Sequence, residues 1–180
     1  MDKYRIWPRL TIEYPWTEMQ PLYLGFIPKT LPTPSYFCTI ERNGESYLVL
    51  YIYEYLKDVK QWHQWLIVGC YDVYFVMLGE KQPEIVVKDI GYFCDMLLAD
   101  EYALIASSSH VYRFDRNTQL CWKTEVVTRD NLFNDGIVID DVQGECIYGT
   151  IEYSFEPFWS TEQPWPTKFK LSLSTGKLIE

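Results

Sequence analysis

The segment SYFCTIER, Asn43-Gly44, ESYLVLYIYEYL leaves this chain little choice of local structure. Asn-Gly supplies the two positive φ angles of a type I′ turn, and the flanking runs are strand-like, so the segment is predicted to be a β-hairpin. The run after the turn alternates in two registers. Tyr47, Val49, Tyr51, Tyr53 and Tyr55 share one face; Leu48, Leu50, Ile52 and Leu56 share the other, with Glu54. Both faces are largely apolar, which predicts an interior strand covered on both sides. The tyrosine hydroxyls then need partners.

The rest of the chain repeats this grammar. LIVGCYDVYFVML runs to a turn at Gly79, with Gly69 marking a bulge or bend, and PEIVVKDIGYFCDMLL follows. ALIASSS, HVYRFDR and QLCWKTEVV read as strands around a turn at Asn117-Thr118, and ECIYGTIEYSF and FKLSLS as further strands. No segment carries the pattern of a helix of ordinary length. Leu56 to Trp65, LKDVKQWHQW, reads as a weak linker or a single helical turn, and SFEPFWSTEQPWPT as a Pro/Trp loop. Residues 1–35 are rich in proline and rings; they read as a wrapping arm with one short strand, RLTIEY, starting at Arg9. The expectation is a single domain over 1–180: the arm, then a β-sheet body over 36–180.

An internal repeat connects Tyr102–Glu125 with the C-terminus. Setting Asn117-Thr118 on Ser174-Thr175 is an offset of 57 residues and places Tyr112 on Phe169, Arg113 on Lys170 and Phe114 on Leu171. DEYALIAS and GECIYGTI fall at corresponding places with a different gap. Over about residues 64–180 this unit of strands, polar turn and return strand, with its phrase LSLSTGKLI, resembles the blades of quinoprotein-like and WD40-like β-propellers. The resemblance implies an all-β fold of antiparallel meanders with propeller-blade-like repeats, as an open or partial propeller; a β-sandwich is the alternative.

Charge is the other informative feature. The formal net charge of -9 disfavours nucleic acid and anionic membrane as partners and favours a basic protein. Between Arg129 and Lys168 there is no Lys or Arg, while eight acids occur: Asp130, Asp135, Asp140, Asp141, Glu145, Glu152, Glu156 and Glu162. A solvated acidic surface is one explanation. The other is a docking face, since acids speed encounter with a basic partner and interleaved rings anchor it. The candidate partner-binding residues are Asp135, Asp140, Asp141, Glu145, Glu152, Tyr153, Glu156, Trp159 and Trp165.

Catalytic and metal motifs do not emerge. Fitting an EF-hand loop with Gly136 at its sixth position puts Phe133 third and Val142 twelfth, where oxygen ligands belong. Asp130, Asp135, Asp140 and Asp141 could still build only an irregular oxygen site; no metal and no cofactor is expected. The two histidines, His63 and His110, lack zinc-site spacing, and Ser107-Ser108-Ser109-His110 is not a nucleophile elbow. His110 at a strand start is expected to hydrogen-bond within a turn. Five cysteines without C-x-x-C spacing read as small buried hydrophobes of a reducing compartment, and MDKYRIWPRL has no apolar signal region, so a cytoplasmic location is expected.

A small, acidic, ring-rich β protein without catalytic motifs is similar in type to the immunity proteins that bacteria pair with secreted toxins. The similarity rests on the acidic segment 130–165. It implies non-catalytic protein binding, with a basic toxin as the partner. Two alternatives remain: a carbohydrate- or peptide-binding module using Trp159 and Trp165, and a hydrolase with an unrecognised carboxylate or Cys/His site, such as His110 with Cys94 or Cys121.

Overall fold

The computed structural model describes residues 2–27, 33–80, 83–124, 134–153 and 168–179; of Asn134, Asp135 and Tyr153 only the backbone is described. Among these residues the regular structure is all β, apart from one 3-10 turn at Trp16–Glu18. The chain divides into two compact units, Met1–Asp89 and Ile90–Glu180. Each holds two sheets around its own apolar core.

In the first unit, β1 (Tyr4–Arg9), β2 (Leu22–Leu24), β3 (Tyr36–Arg42) and β4 (Glu45–Ile52) form a sheet in the order β1-β3-β4-β2. Asn43 and Gly44 join β3 to β4 with φ of 56° and 91°, the two positive angles that the type I′ turn requires. β4 is interior, between antiparallel β3 and parallel β2. The second sheet is a four-strand meander: β5 (Asp58–Trp62), β6 (Trp65–Gly69), β7 (Val73–Met77) and β8 (Ile85–Lys88). The core between them combines Ile40, Leu48, Leu50 and Ile52 with Leu66, Val68, Tyr74 and Val76. Tyr47 finds its hydroxyl partners at the turn after β7, where it donates to the Glu80 carbonyl (2.9 Å) and accepts from the Gly79 N–H (2.8 Å).

Two expectations change here. The N-terminal strand is Tyr4–Arg9 rather than a run starting at Arg9. As an edge strand, β1 tolerates the missing N–H of Pro8, and Tyr4 and Ile6 pack on the core. The supposed linker or helical turn at Leu56–Trp65 is mostly the edge strand β5, paired with β6 from Asp58↔Gly69 to Trp62↔Trp65. Its solvent-facing Lys60 and Gln61 hid the alternation of Val59 against the core. Within the arm, Trp16 is buried, but Tyr14 and Phe26 are 82% and 81% exposed, so its rings do not all pack.

In the second unit, β9 (Phe93–Leu98), β10 (Tyr102–Ser107), β11 (Val111–Asp115) and β12 (Leu120–Lys123) form another four-strand meander. β13 (Asn134–Gln143), β14 (Cys146–Tyr153) and β15 (Lys168–Ser172) form a three-strand one. Leu104, Ala106 and Val111 pack on Ile137, Ile139, Ile147, Ile151, Phe169 and Leu171. Trp122 ties the sheets together by donating Nε1–H to the Leu173 carbonyl (2.9 Å).

The repeat is real at the level of topology. β10 and β14 each pair with the strand that follows them, β11 and β15. After β11 the carboxylate of Asp115 accepts from the N–H groups of Asn117 and Gln119 (both 2.9 Å); after β15 the hydroxyl of Ser172, its counterpart at the same offset, accepts from the Thr175 N–H (3.3 Å). In place of a full fourth strand, Leu178 makes a single bridge to Leu171.

Candidate protein-binding face

The acidic segment enters the structure through the β13–β14 hairpin. Strict alternation along IVIDDV would turn one of the two aspartates toward the core. The register instead slips between Ile139 and Asp141, so that Ile139 opposes Gly149, Asp141 opposes Tyr148 and Asp140 is the extra residue. Ile139 and Val142 stay on the core side, and Asp140 and Asp141 are both exposed. The bulge is held from the other sheet of the same unit. Asp95 on β9 accepts the Ile139 N–H through Oδ2 and its own neighbour's N–H, of Met96, through Oδ1, both at 2.8 Å. An edge strand is thereby capped by a carboxylate rather than left open to another strand.

Each aspartate is held by a local donor. Thr150 Oγ1 donates to Asp140 Oδ2 at 2.7 Å. Asp141 accepts from the Val142 N–H (2.7 Å) and from Gln143 Nε2 (2.9 Å). The Gln143 bond, then the Val142 N–H, holds the Asp141 carboxyl below the usual carboxylate range, so it stays ionised in mildly acidic solution. Glu145 sits exposed in the turn after Gly144, and Glu152 is exposed on β14 opposite Gly136.

The face is not purely acidic. β15 pairs with β14 so that Lys168 opposes Thr150 and Lys170 opposes Tyr148. Phe169 and Leu171 face the core, so the two lysines point outward with Tyr148, Thr150 and Glu152. The Lys170 ammonium lies 5.6 Å from the centre of the Tyr148 ring, a cation–π distance. Across the sheet, charge therefore runs from the aspartates of β13, through ring and hydroxyl on β14, to the lysines of β15. Gly149 makes this register possible: a Cβ there would meet the Phe169 ring and come within 2.7 Å of the Val138 carbonyl.

The structure thus brings together Asp140, Asp141, Glu145 and Glu152 on one hairpin. Asp135 and Tyr153 lie on its paired strands, with only their backbones described. Glu156, Trp159 and Trp165 lie outside the described residues, as does Asp130. Tyr148 is one of the rings interleaved with the acids in the sequence, but Lys168 and Lys170 were not singled out for this face, because β15 is separated from β14 by the segment 154–167. The period-two pattern of FKLSLS was the available signal.

No protein family, curated protein or solved structure matches this chain. Its chemistry is therefore read from its own residues. Among the described residues, no three His, Cys, Asp or Glu side chains cluster as metal ligands, and no helix is long and apolar enough to cross a membrane.

The serine–histidine turn is closed on itself. Ser107 Oγ accepts the N–H groups of Ser109 (3.3 Å) and His110 (3.1 Å), and Ser109 Oγ lies 2.7 Å from His110 Nδ1. The Ser109 and His110 N–H groups are thus already engaged within the turn, and the Ser108 N–H donates to the Tyr92 carbonyl (3.1 Å). Burial, and then the Lys123 charge, lowers the His110 pKa, which favours a neutral ring at neutral pH. All five cysteines are free. Cys38 and Cys70 are buried, which pushes each thiol up to about 12 and leaves it unreactive. Cys121, by contrast, is exposed on β12 and is not the small core residue expected of it.

Proposed function

We propose that this protein is a non-catalytic binding module that engages a basic protein through the outward face of the β13–β14–β15 sheet, as an immunity protein engages a toxin. The observation that carries this reading is the bulge at Asp140. It spends a register slip and a carboxylate cap from Asp95 on turning two consecutive aspartates to solvent, beside exposed Glu145 and Glu152. A merely soluble surface needs no such arrangement. Tyr148, with Lys170 alongside, supplies a half-buried ring of the kind that anchors interfaces. Lys168 and Lys170 call for acidic groups on one flank of the partner, which adds specificity to a mainly electrostatic attraction. Five free thiols suit a reducing cytoplasm, where such an inhibitor would protect its own cell.

The test uses a panel of purified basic nucleases as probes, with association rates measured from low to high salt. Asp140→Asn, Asp141→Asn, Glu145→Gln and Glu152→Gln combined should slow association with a bound nuclease at least about tenfold at low salt and flatten the salt dependence. An unchanged rate and salt response would remove the acidic hairpin from the interface. Inhibition of the nuclease by the wild-type chain then separates an immunity role from simple binding.

A further inference from the structure

The first unit has a groove where its core opens between the edge strands β1 and β5. It has a volume of about 330 Å3 and apolar walls of Ile6, Pro8, Leu10, Tyr36, Leu56 and Val59. Ile6, Tyr36, Leu56 and Val59 are also the half-buried margin of the core between the two sheets, so the floor of the groove is continuous with that core. Every lining residue is exposed or half-buried, and Leu10 is 73% exposed. A site this shallow cannot enclose most of a small molecule, as ligand pockets do. An extended segment lying across it can still bury its side chains.

Three charged residues complete the lining: Arg9, Lys57 and Asp58. Asp58 is already engaged, with Oδ1 accepting the Val59 N–H (2.8 Å) and Oδ2 paired with Lys60 (2.9 Å). Arg9 donates its Nε–H to Thr39 Oγ1 (3.2 Å), which fixes the guanidinium and, among the described residues, leaves its two terminal NH2 groups for a ligand. The groove is thus a cationic, aliphatic site on a protein of net charge -9. Backbone pairing with an added strand is hindered on both sides. Pro8 offers no N–H on β1, and Asp58 caps the Val59 N–H on β5. Recognition there must come from side chains.

We infer that this groove binds an extended peptide segment in which aliphatic side chains alternate with carboxylates, the aliphatic groups seated against Ile6, Leu10 and Leu56 and a carboxylate on Arg9. This site is separate from the acidic hairpin and takes a ligand of opposite charge, so neither stands or falls with the other.

The experiment titrates the full chain with fluorescein-labelled hexapeptides, one alternating leucine with glutamate, one leucine with lysine and one glycine with glutamate. Amide chemical shifts map the contact. The leucine–glutamate peptide should bind saturably, shift the amides of Ile6, Leu10, Leu56 and Val59, and outcompete both controls. Arg9→Glu should weaken it about tenfold and transfer preference to the leucine–lysine peptide. Leu10→Asp, at a highly exposed position, should weaken it severalfold without unfolding the chain. Three results would overturn the inference: no saturable binding, equal binding of the two leucine peptides, or shifts confined to other strands.

Discussion

The two units are built alike and charged differently. Each packs two sheets over one apolar core, and in each a tight turn or hairpin sets the strand register. Met1–Asp89 carries nine basic and eleven acidic residues, a net of −2; Ile90–Glu180 carries seven and fourteen, a net of −7. Core pattern and charge are thus written independently. The first unit keeps near-neutral balance and a cationic groove, while the second concentrates acid on an exposed hairpin. A strand needs only every other residue for packing, so its outward positions are open to whatever charge a partner requires.

The largest effects should come from the shared feature, the cores. Leu50→Ala in β4 and Ile137→Ala in β13 remove fully buried side chains. Each should cost about 2–5 kcal/mol in a denaturant titration. Hydrogen exchange sharpens the comparison. If each unit is held by its own core, lost protection should stay within Met1–Asp89 for Leu50→Ala and within Ile90–Glu180 for Ile137→Ala. Protection lost equally across both would show that the two cores form one cooperative structure.

A middle-sized effect should separate the hairpin from the rest of its unit. Asp95→Ala leaves the Ile139 N–H without its carboxylate acceptor. The loss should be about 1–3 kcal/mol. The amides of Ile139 to Val142 should shift most, because the bulge that turns Asp140 and Asp141 outward loses its anchor. If their shifts match wild type, β13 holds the bulge unaided.

How much of this was legible depends on the range of the interaction involved. The Asn43-Gly44 hairpin was legible because the turn and both strands are contiguous, and the observed φ angles follow from those two residues. The repeat between Tyr102–Glu125 and the C-terminus was legible because Asp115 and Ser172 act on N–H groups only a few residues ahead. β5 was not, since an edge strand with Lys60 and Gln61 outward carries little apolar signal. The bulge had a trace in hindsight: from Ile137 to Ile139 the core step is two, and from Ile139 to Val142 it is three. The lysines beside the acids were invisible, since strand pairing across a long insertion puts Lys168 and Lys170 next to residues far from them in sequence. A window without Lys or Arg is a statement about the chain; a charged face is a statement about the sheet.

The smallest effect concerns pH, and it belongs to His110 in the second unit. The His110 ring in the second unit is half-buried and lies near Lys123, and burial, ahead of that charge, lowers its pKa from the ordinary 6.5. The unfolded chain then takes up a proton more readily than the folded one as pH falls below 6.5. This contribution to stability is accordingly complete above the unfolded value and is lost as pH falls through the lower folded one. Between about pH 7.5 and 5.5 the wild type should lose a few degrees of Tm, and His110→Gln should remove part of that loss. An identical acid response in wild type and His110→Gln would assign the loss to carboxylates instead, and the acid-rich hairpin of the same unit would be the next place to substitute.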